Sequence, residues 1–272
     1  MKLTTNQKLA AVAIVIVIGL VIAYFSIGSS VKSLNITSQD NVPVQQYMIN
    51  RLQVPDNVSA AVGSGLGKTL QQVNGTNLTY NGKPEILYMG AEYCPYCAAE
   101  RWPLTIALMR FGNFTGLEYM TSSATDYSPS TPTFTFVNAT YTSKYISFVS
   151  VEMEGNKVVN GSYPSLQNPN TSETAILSKY DGPTSAGRGG IPFIDFGNKA
   201  IDVGATYDPY SILDSYTWNT ISNNLYNASS LQSEEIIGQA NIFTAQICSI
   251  DNNTPQSVCG QTYIKKIEGN IG

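Results

Sequence analysis

The stretch that most constrains this chain is Pro84 to Trp102, PEILYMGAEYCPYCAAERW. Pro84–Gly90 is a short apolar run ending in glycine, the pattern of a buried strand. Beyond it Ala98, Trp102, Ile106 and Met109 recur at helical spacing, so the segment reads strand, Cys-Pro-Tyr-Cys, helix. On a helix, positions i and i+3 share a face, at a separation inside the roughly 4.4–6.8 Å Cα range that a disulfide tolerates. Cys94 and Cys97 can therefore open and close a bond without moving the backbone. Cys94 is expected at the helix N-cap, where unpaired N–H groups and the positive end of the dipole favour a thiolate, which marks it as the nucleophile. Pro95 suits the first turn. Cys97, one turn in and shielded, is the expected resolving thiol.

What the rest of the composition excludes narrows the chemistry. The 272 residues contain no histidine and four cysteines. A Ser-His-Asp triad, a Cys-His pair and any imidazole zinc site are ruled out. Only 12% of residues are charged, the net charge is -4, and no basic cluster is present, so nucleic acid is not an expected partner. The 43% hydrophobic content is enough for a real core. Two blander readings of Cys94 and Cys97 stay open, a permanently closed staple and a metal site. The second would need ligands that Cys248 and Cys259 do not supply, since their C-x10-C spacing is not that of a zinc ribbon. Those two cysteines are expected to form an oxidised structural disulfide, with electron relay between the pairs as an alternative. No metal and no cofactor is expected.

The N-terminus carries an uncharged apolar run from Leu9 to Ile27, about as long as the roughly 20 residues a membrane helix needs. Lys2 and Lys8 precede it, so the positive-inside bias puts residues 1–8 in the cytosol and the remainder outside the cell membrane. A cleaved signal peptide is the alternative, with Ser26, Gly28 and Ser29 as the small residues near a cleavage point. Ten Asn-x-Ser/Thr sequons between Asn35 and Asn252 suit an exported, glycosylated protein. The combination of low charge, sequons and a bare anchor is similar to that of archaeal cell-surface proteins.

Residues 28–82 are expected to be a tether and an N-terminal extension of short helices or loops, and 83–272 a single α/β domain. Leu117–Ser122 is a plausible second strand. Thr133–Glu154 alternates in the manner of β structure, and a polar stretch to Tyr180 closes a β-rich insertion at about 123–185. After Ile191-Pro192 come a strand Phe193–Phe196, a Gly197-Asn198 turn and a strand Ala200–Val203. Two helices are expected over Tyr210–Ala228 and Glu234–Ile250. Trp102 reads as core, and Glu92 with Arg101 as a solvated surface pair beside the dithiol.

At these residues the chain resembles the thioredoxin superfamily, with a CPYC site similar to that of glutaredoxins and some exported Dsb-type proteins. The stretch GAEYCPYCAAERW also looks like an uncharacterised archaeal family of membrane-anchored thioredoxin-like proteins, a likeness covering about Lys83 to Ala228. The resemblance implies a thioredoxin-like fold in which Pro192 is the cis proline, Ile191 the residue that faces the cysteines, and Ile191, Pro192 and Tyr96 the substrate contacts. It departs in two places. Where thioredoxins and DsbA-type proteins hold a buried carboxylate, six residues ahead of the first cysteine, this chain has Tyr88; Glu92, Glu100 or water is then the candidate for proton transfer. The interval from Cys97 to Pro192 is also far longer than in a minimal thioredoxin. The implied function is oxidation or isomerisation of thiols in exported proteins, with a redox partner the sequence does not identify. The competing class is a non-catalytic surface glycoprotein in which both cysteine pairs are structural.

Overall fold

The computed structural model describes residues 39–182 and 190–271. The expected span Leu9–Ile27 lies outside them, and among the described residues no helix is long and apolar enough to cross a membrane. All but Gln39 belong to one unit, Asp40–Gly272. The N-terminal extension contributes two short helices, α1 (Gln46–Leu52) and α2 (Asp56–Val62), and two short strands, β1 (Gln71–Gln72) and β2 (Thr79–Tyr80).

The apolar run around Pro84 becomes β3 (Lys83–Gly90), buried from Ile86 to Gly90 on both faces. That burial follows from its place: β3 pairs in parallel with β8 (Ser147–Glu152) on one side and antiparallel with β9 (Phe193–Phe196) on the other. The sheet continues through β10 (Ala200–Val203) to β1 and is mixed. At the β9–β10 turn Gly197 and Asn198 both hold positive φ, +66° and +58°, a backbone that glycine and asparagine adopt with least strain.

Alternation along β3 sorts the two layers. Leu87 and Met89 meet Val151, Phe193, Ile201 and Tyr180, the last from α4 (Thr171–Asp181), whose Ile176 and Leu177 cover this face. The opposite face, with Ile86, Tyr88 and Gly90, is covered by α3 (Pro95–Met109) and by a long helix, α7 (Gly238–Ile250), whose Phe243 packs on Phe196 at 5.1 Å. Between β9–β10 and α7 lie α5 (Pro209–Ile212) and α6 (Trp218–Asn224), where one helix is expected over Tyr210–Ala228; Leu213–Thr217 separates them, with Ser215 at φ +62° and Thr217 capping α6. Glu234–Ile250 is likewise a π turn, Ser233–Ile237, running into α7.

Pro103 lies inside α3 and cannot donate to the Ala99 carbonyl one turn back. The Tyr207 hydroxyl supplies that hydrogen bond, at 2.6 Å. The expected β-rich insertion resolves into two separate two-stranded ribbons, β4 (Gly112–Thr115) with β7 (Thr140–Ser143) and β5 (Glu118–Thr121) with β6 (Pro132–Thr135). Leu117–Ser122 is thus a strand outside the main sheet. The strand that pairs in parallel with β3 is β8, and the polar stretch before Tyr180 contains helix α4, begun by an Asn170–Glu173 capping box. Cys248 and Cys259 form a disulfide that ties the end of α7 to the short C-terminal helices.

Candidate active site

Cys94 is the N-cap of α3, in extended conformation, and Pro95 opens the helix. The cap needs an acceptor for the free first-turn N–H groups, and the sulfur provides it: Cys97 N–H donates to Cys94 Sγ at 3.3 Å. As a thiol, Cys94 itself donates to the Ile191 carbonyl at 3.8 Å. The fold thus brings together Cys94, Cys97 and Ile191, the last from 97 residues away. The Ile191–Pro192 peptide is cis, and Gly204 N–H donates to Pro192 O at 2.8 Å, holding this loop against the end of β10.

Both sulfurs are free thiols. Cys94 is 6% exposed and Cys97 0%, so a visiting group reaches the first and not the second. Their acidities diverge. Cys94 is lowered from the ordinary thiol value, first by the hydrogen bond from the Cys97 side chain and, against its burial, by backbone N–H donors and the Arg101 charge. Burial pushes Cys97 well above that value, and its hydrogen bond and charge coupling to Cys94 add to the effect. One sulfur poised as an anion beside a neutral, shielded partner can attack a disulfide and then be displaced from the mixed disulfide.

Around the mouth stand tyrosines from four segments. Tyr96 is 41% exposed and stacks on Tyr127, which neighbours Tyr210; on the other side Tyr93 stacks on Tyr163 at 4.2 Å. Tyr127, Tyr163 and Tyr210 are not legible as site residues, because only the fold brings them to Tyr96, Tyr93 and one another. Trp102 is core, its indole N–H donating to Pro132 O at 2.9 Å.

Arg101 is not the solvated residue expected beside Glu92. Its side chain is fully buried and forms a two-pronged ion pair with Glu152, at 2.8 and 2.6 Å, while Nη2 also donates to Ala91 O. The reason is geometric. In the parallel pairing Glu152 lies opposite Gly90, on the face that α3 covers, and Arg101 sits one turn past Cys97 on that helix. Glu92 is also buried, its carboxylate accepting from Thr135 Oγ1 at 2.6 Å. Glu100 accepts from Thr206 N–H at 3.0 Å and from its hydroxyl at 3.1 Å. Neither carboxyl has a described hydrogen bond to a cysteine.

Glu100 instead faces Asp202 of β10. Burial first and the Asp202 charge second push Glu100 well above the carboxylate range, and burial lifts Asp202 to about 7. A buried acid of this kind binds its proton more tightly folded than unfolded. Its contribution to stability is fully present below the unfolded value of ~4 and is lost as pH rises through about 7. Asp195 and Asp251, each lifted to about 6 chiefly by burial, act in the same direction. The melting temperature is therefore expected to be several degrees higher at pH 5 than at pH 8, and Asp202→Asn to shrink the difference. A flat or reversed profile in a fluorimetric melt would mean that these carboxyls are ionised in the fold.

Among the described residues no group of three or more Cys, Asp or Glu side chains is placed to hold a metal. Comparison with curated proteins and with solved structures returns no match. A family model does match, over residues 69–249, from just before β1 through nearly all of α7 and so including the dithiol and the Ile191–Pro192 loop. The chain belongs to the family described as "Domain of unknown function (DUF929)".

Proposed function

We propose that this protein is a thiol–disulfide oxidoreductase with a thioredoxin-like core. The observation that carries the reading is Cys94: a helix N-cap sulfur of lowered thiol pKa, slightly exposed at 6%, beside a fully buried Cys97 of raised pKa. The arrangement around it agrees. Strand β3, the Cys-Pro-Tyr-Cys turn, helix α3 and then Ile191–Pro192 ahead of the β9–β10 hairpin follow one another in the order that the sequence resemblance implies. Cys94 attacks a substrate disulfide, or the Cys94–Cys97 bond accepts electrons from a substrate dithiol; Cys97 resolves. Ile191, Pro192 and the exposed Tyr96 meet the polypeptide. With the apolar run at Leu9–Ile27 as anchor and sequons along the chain, the reading extends to a membrane-bound protein acting outside the cytosol on exported proteins. In that compartment no thiol buffer recharges a reductase, which favours oxidation or isomerisation.

Equilibration in glutathione buffers of graded potential, followed by acid quench and alkylation, tests it. Cys94 and Cys97 are expected to interconvert between dithiol and disulfide, while Cys248 and Cys259 stay oxidised throughout. A pair that stays closed across the whole range supports the surface-glycoprotein reading and defeats the enzyme.

A further inference from the structure

Beneath the dithiol lies a small set of polar atoms that the chemistry above does not use. Tyr88 and Gly90 are two apart on β3 and face α3. A Cβ placed on Gly90 would lie 2.2 Å from Tyr88 Oη and 3.1 Å from Cys97 Sγ. The phenol oxygen and the buried sulfur therefore share the space over one bare backbone position, no farther apart than the sum of those distances. The Tyr88 side chain is fully buried and its hydroxyl has no hydrogen-bond partner among the described residues. Behind it the Arg101 guanidinium carbon is 5.7 Å from the Tyr88 ring centroid. Glu152 and Ala91 take Nε and Nη2, and Nη1 has no partner among the described residues.

A buried donor left without an acceptor carries a desolvation penalty, and two in one place are uncommon. Neither donor is hydrogen-bonded to Cys97 in its resting form, where the neutral thiol is in any case a poor acceptor. A thiolate is a strong one. The arrangement is thus better matched to a charge that develops at Cys97 during reaction than to the reduced ground state.

We propose that Tyr88 and Arg101 stabilise the Cys97 thiolate in the resolving step, Tyr88 by donating its O–H to Sγ and Arg101 as a fixed positive charge behind it. This rests on the dithiol reading. In the step, Cys97 gives up its proton and its sulfur attacks the Cys94 sulfur of the mixed disulfide. The Cys94–Cys97 bond forms, the bond from Cys94 to the substrate breaks, and the electron pair leaves with the substrate sulfur, which takes up a proton. Cys97 is oxidised, the substrate sulfur is reduced, and protons balance. The groups bearing on the Cys97 charge are Cys94, Tyr88, Arg101 with the Glu152 paired to it, and the Ala91 backbone N–H, which also favours the thiolate.

Reaction of the reduced full chain with 5,5′-dithiobis(2-nitrobenzoate) separates the two sulfurs. Attack by Cys94 releases a first nitrothiobenzoate, and Cys97 releases a second by resolving the mixed disulfide. In Tyr88→Phe the first phase is expected to be unchanged. The second is expected to slow about tenfold, the loss of one hydrogen bond to a charged group, with its pH midpoint moved upward. The melting temperature should hold or rise, since the hydroxyl removed is an unsatisfied one. A second phase as fast as the parent's overturns the proposal while leaving the dithiol reading intact. Both phases slowed together with a fallen melting temperature also overturns it, because a packing role alone then accounts for Tyr88. A parent that shows no second phase removes the dithiol reading itself.

Discussion

Cys94→Ser is expected to lose disulfide exchange with a peptide substrate by roughly a thousandfold or more, because a hydroxyl at the helix cap has no accessible anion to attack with. Cys97→Ser is expected to behave differently. Its Cys94 still attacks, and the mixed disulfide with the substrate accumulates, visible as an adduct by mass spectrometry. The asymmetry follows from position alone: Cys94 is capped by backbone N–H groups and reachable, Cys97 is sealed one turn below. Iodoacetamide should label Cys94 in the parent at pH values below those at which free cysteine reacts, since the Cys97 hydrogen bond and the Arg101 charge both favour its anion. Equal exchange rates for parent and Cys94→Ser would sink the enzyme reading. Adducts trapped on Cys97 rather than Cys94 would reverse the assignment of the two roles.

The parts of this site legible from sequence are those made by neighbours along the chain. The apolar run before Gly90, the N-cap cysteine, Pro95 and the helical recurrence of Ala98, Trp102 and Ile106 lie within a few residues of one another, and so do Gly197 and Asn198 in the β9–β10 hairpin. What was not legible is non-local. Nothing in the composition of Ser147–Glu152 says that it joins β3 in parallel rather than the ribbons before it; that pairing is made across a long crossover through α3 and the ribbons, which local pattern does not encode. Helix α4 presents only Ile176, Leu177 and Tyr180 to the core from an otherwise polar segment, so its apolar signal is thin, though the Asn170–Glu173 box was a readable start. Arg101 reads as a surface residue because its partner is 51 residues away. Alternation of Phe148, Ser150 and Glu152 on one face of β8 was the available hint that a carboxylate pointed inward.

That buried pair carries the second large effect. Arg101 and Glu152 are both inaccessible to water, so removing one partner leaves an uncompensated charge under the sheet–helix interface. Arg101→Met or Glu152→Met alone is expected to destabilise the fold by about 3–5 kcal/mol, the usual penalty for breaking a buried pair from one side. Arg101→Met with Glu152→Met removes both charges, and two apolar chains of similar length fill the space. The double variant is expected to recover most of that loss in urea melts, because the desolvation of two ions is no longer required. If instead the double variant is as unstable as Arg101→Met and Glu152→Met is the milder single, the hydrogen bond from Arg101 to Ala91 O, lost only where Arg101 is gone, is what the fold depends on. Recovery of stability without recovery of chemistry is the informative combination. A double variant that folds well yet has a Cys94 titrating nearer to the free thiol value and a slowed Cys97 would mean that the ion pair is retained for the charge it sets beneath the sulfurs. A folded double variant with both sulfurs unchanged would reduce Arg101 to a packing role and leave the helix cap to poise Cys94 by itself.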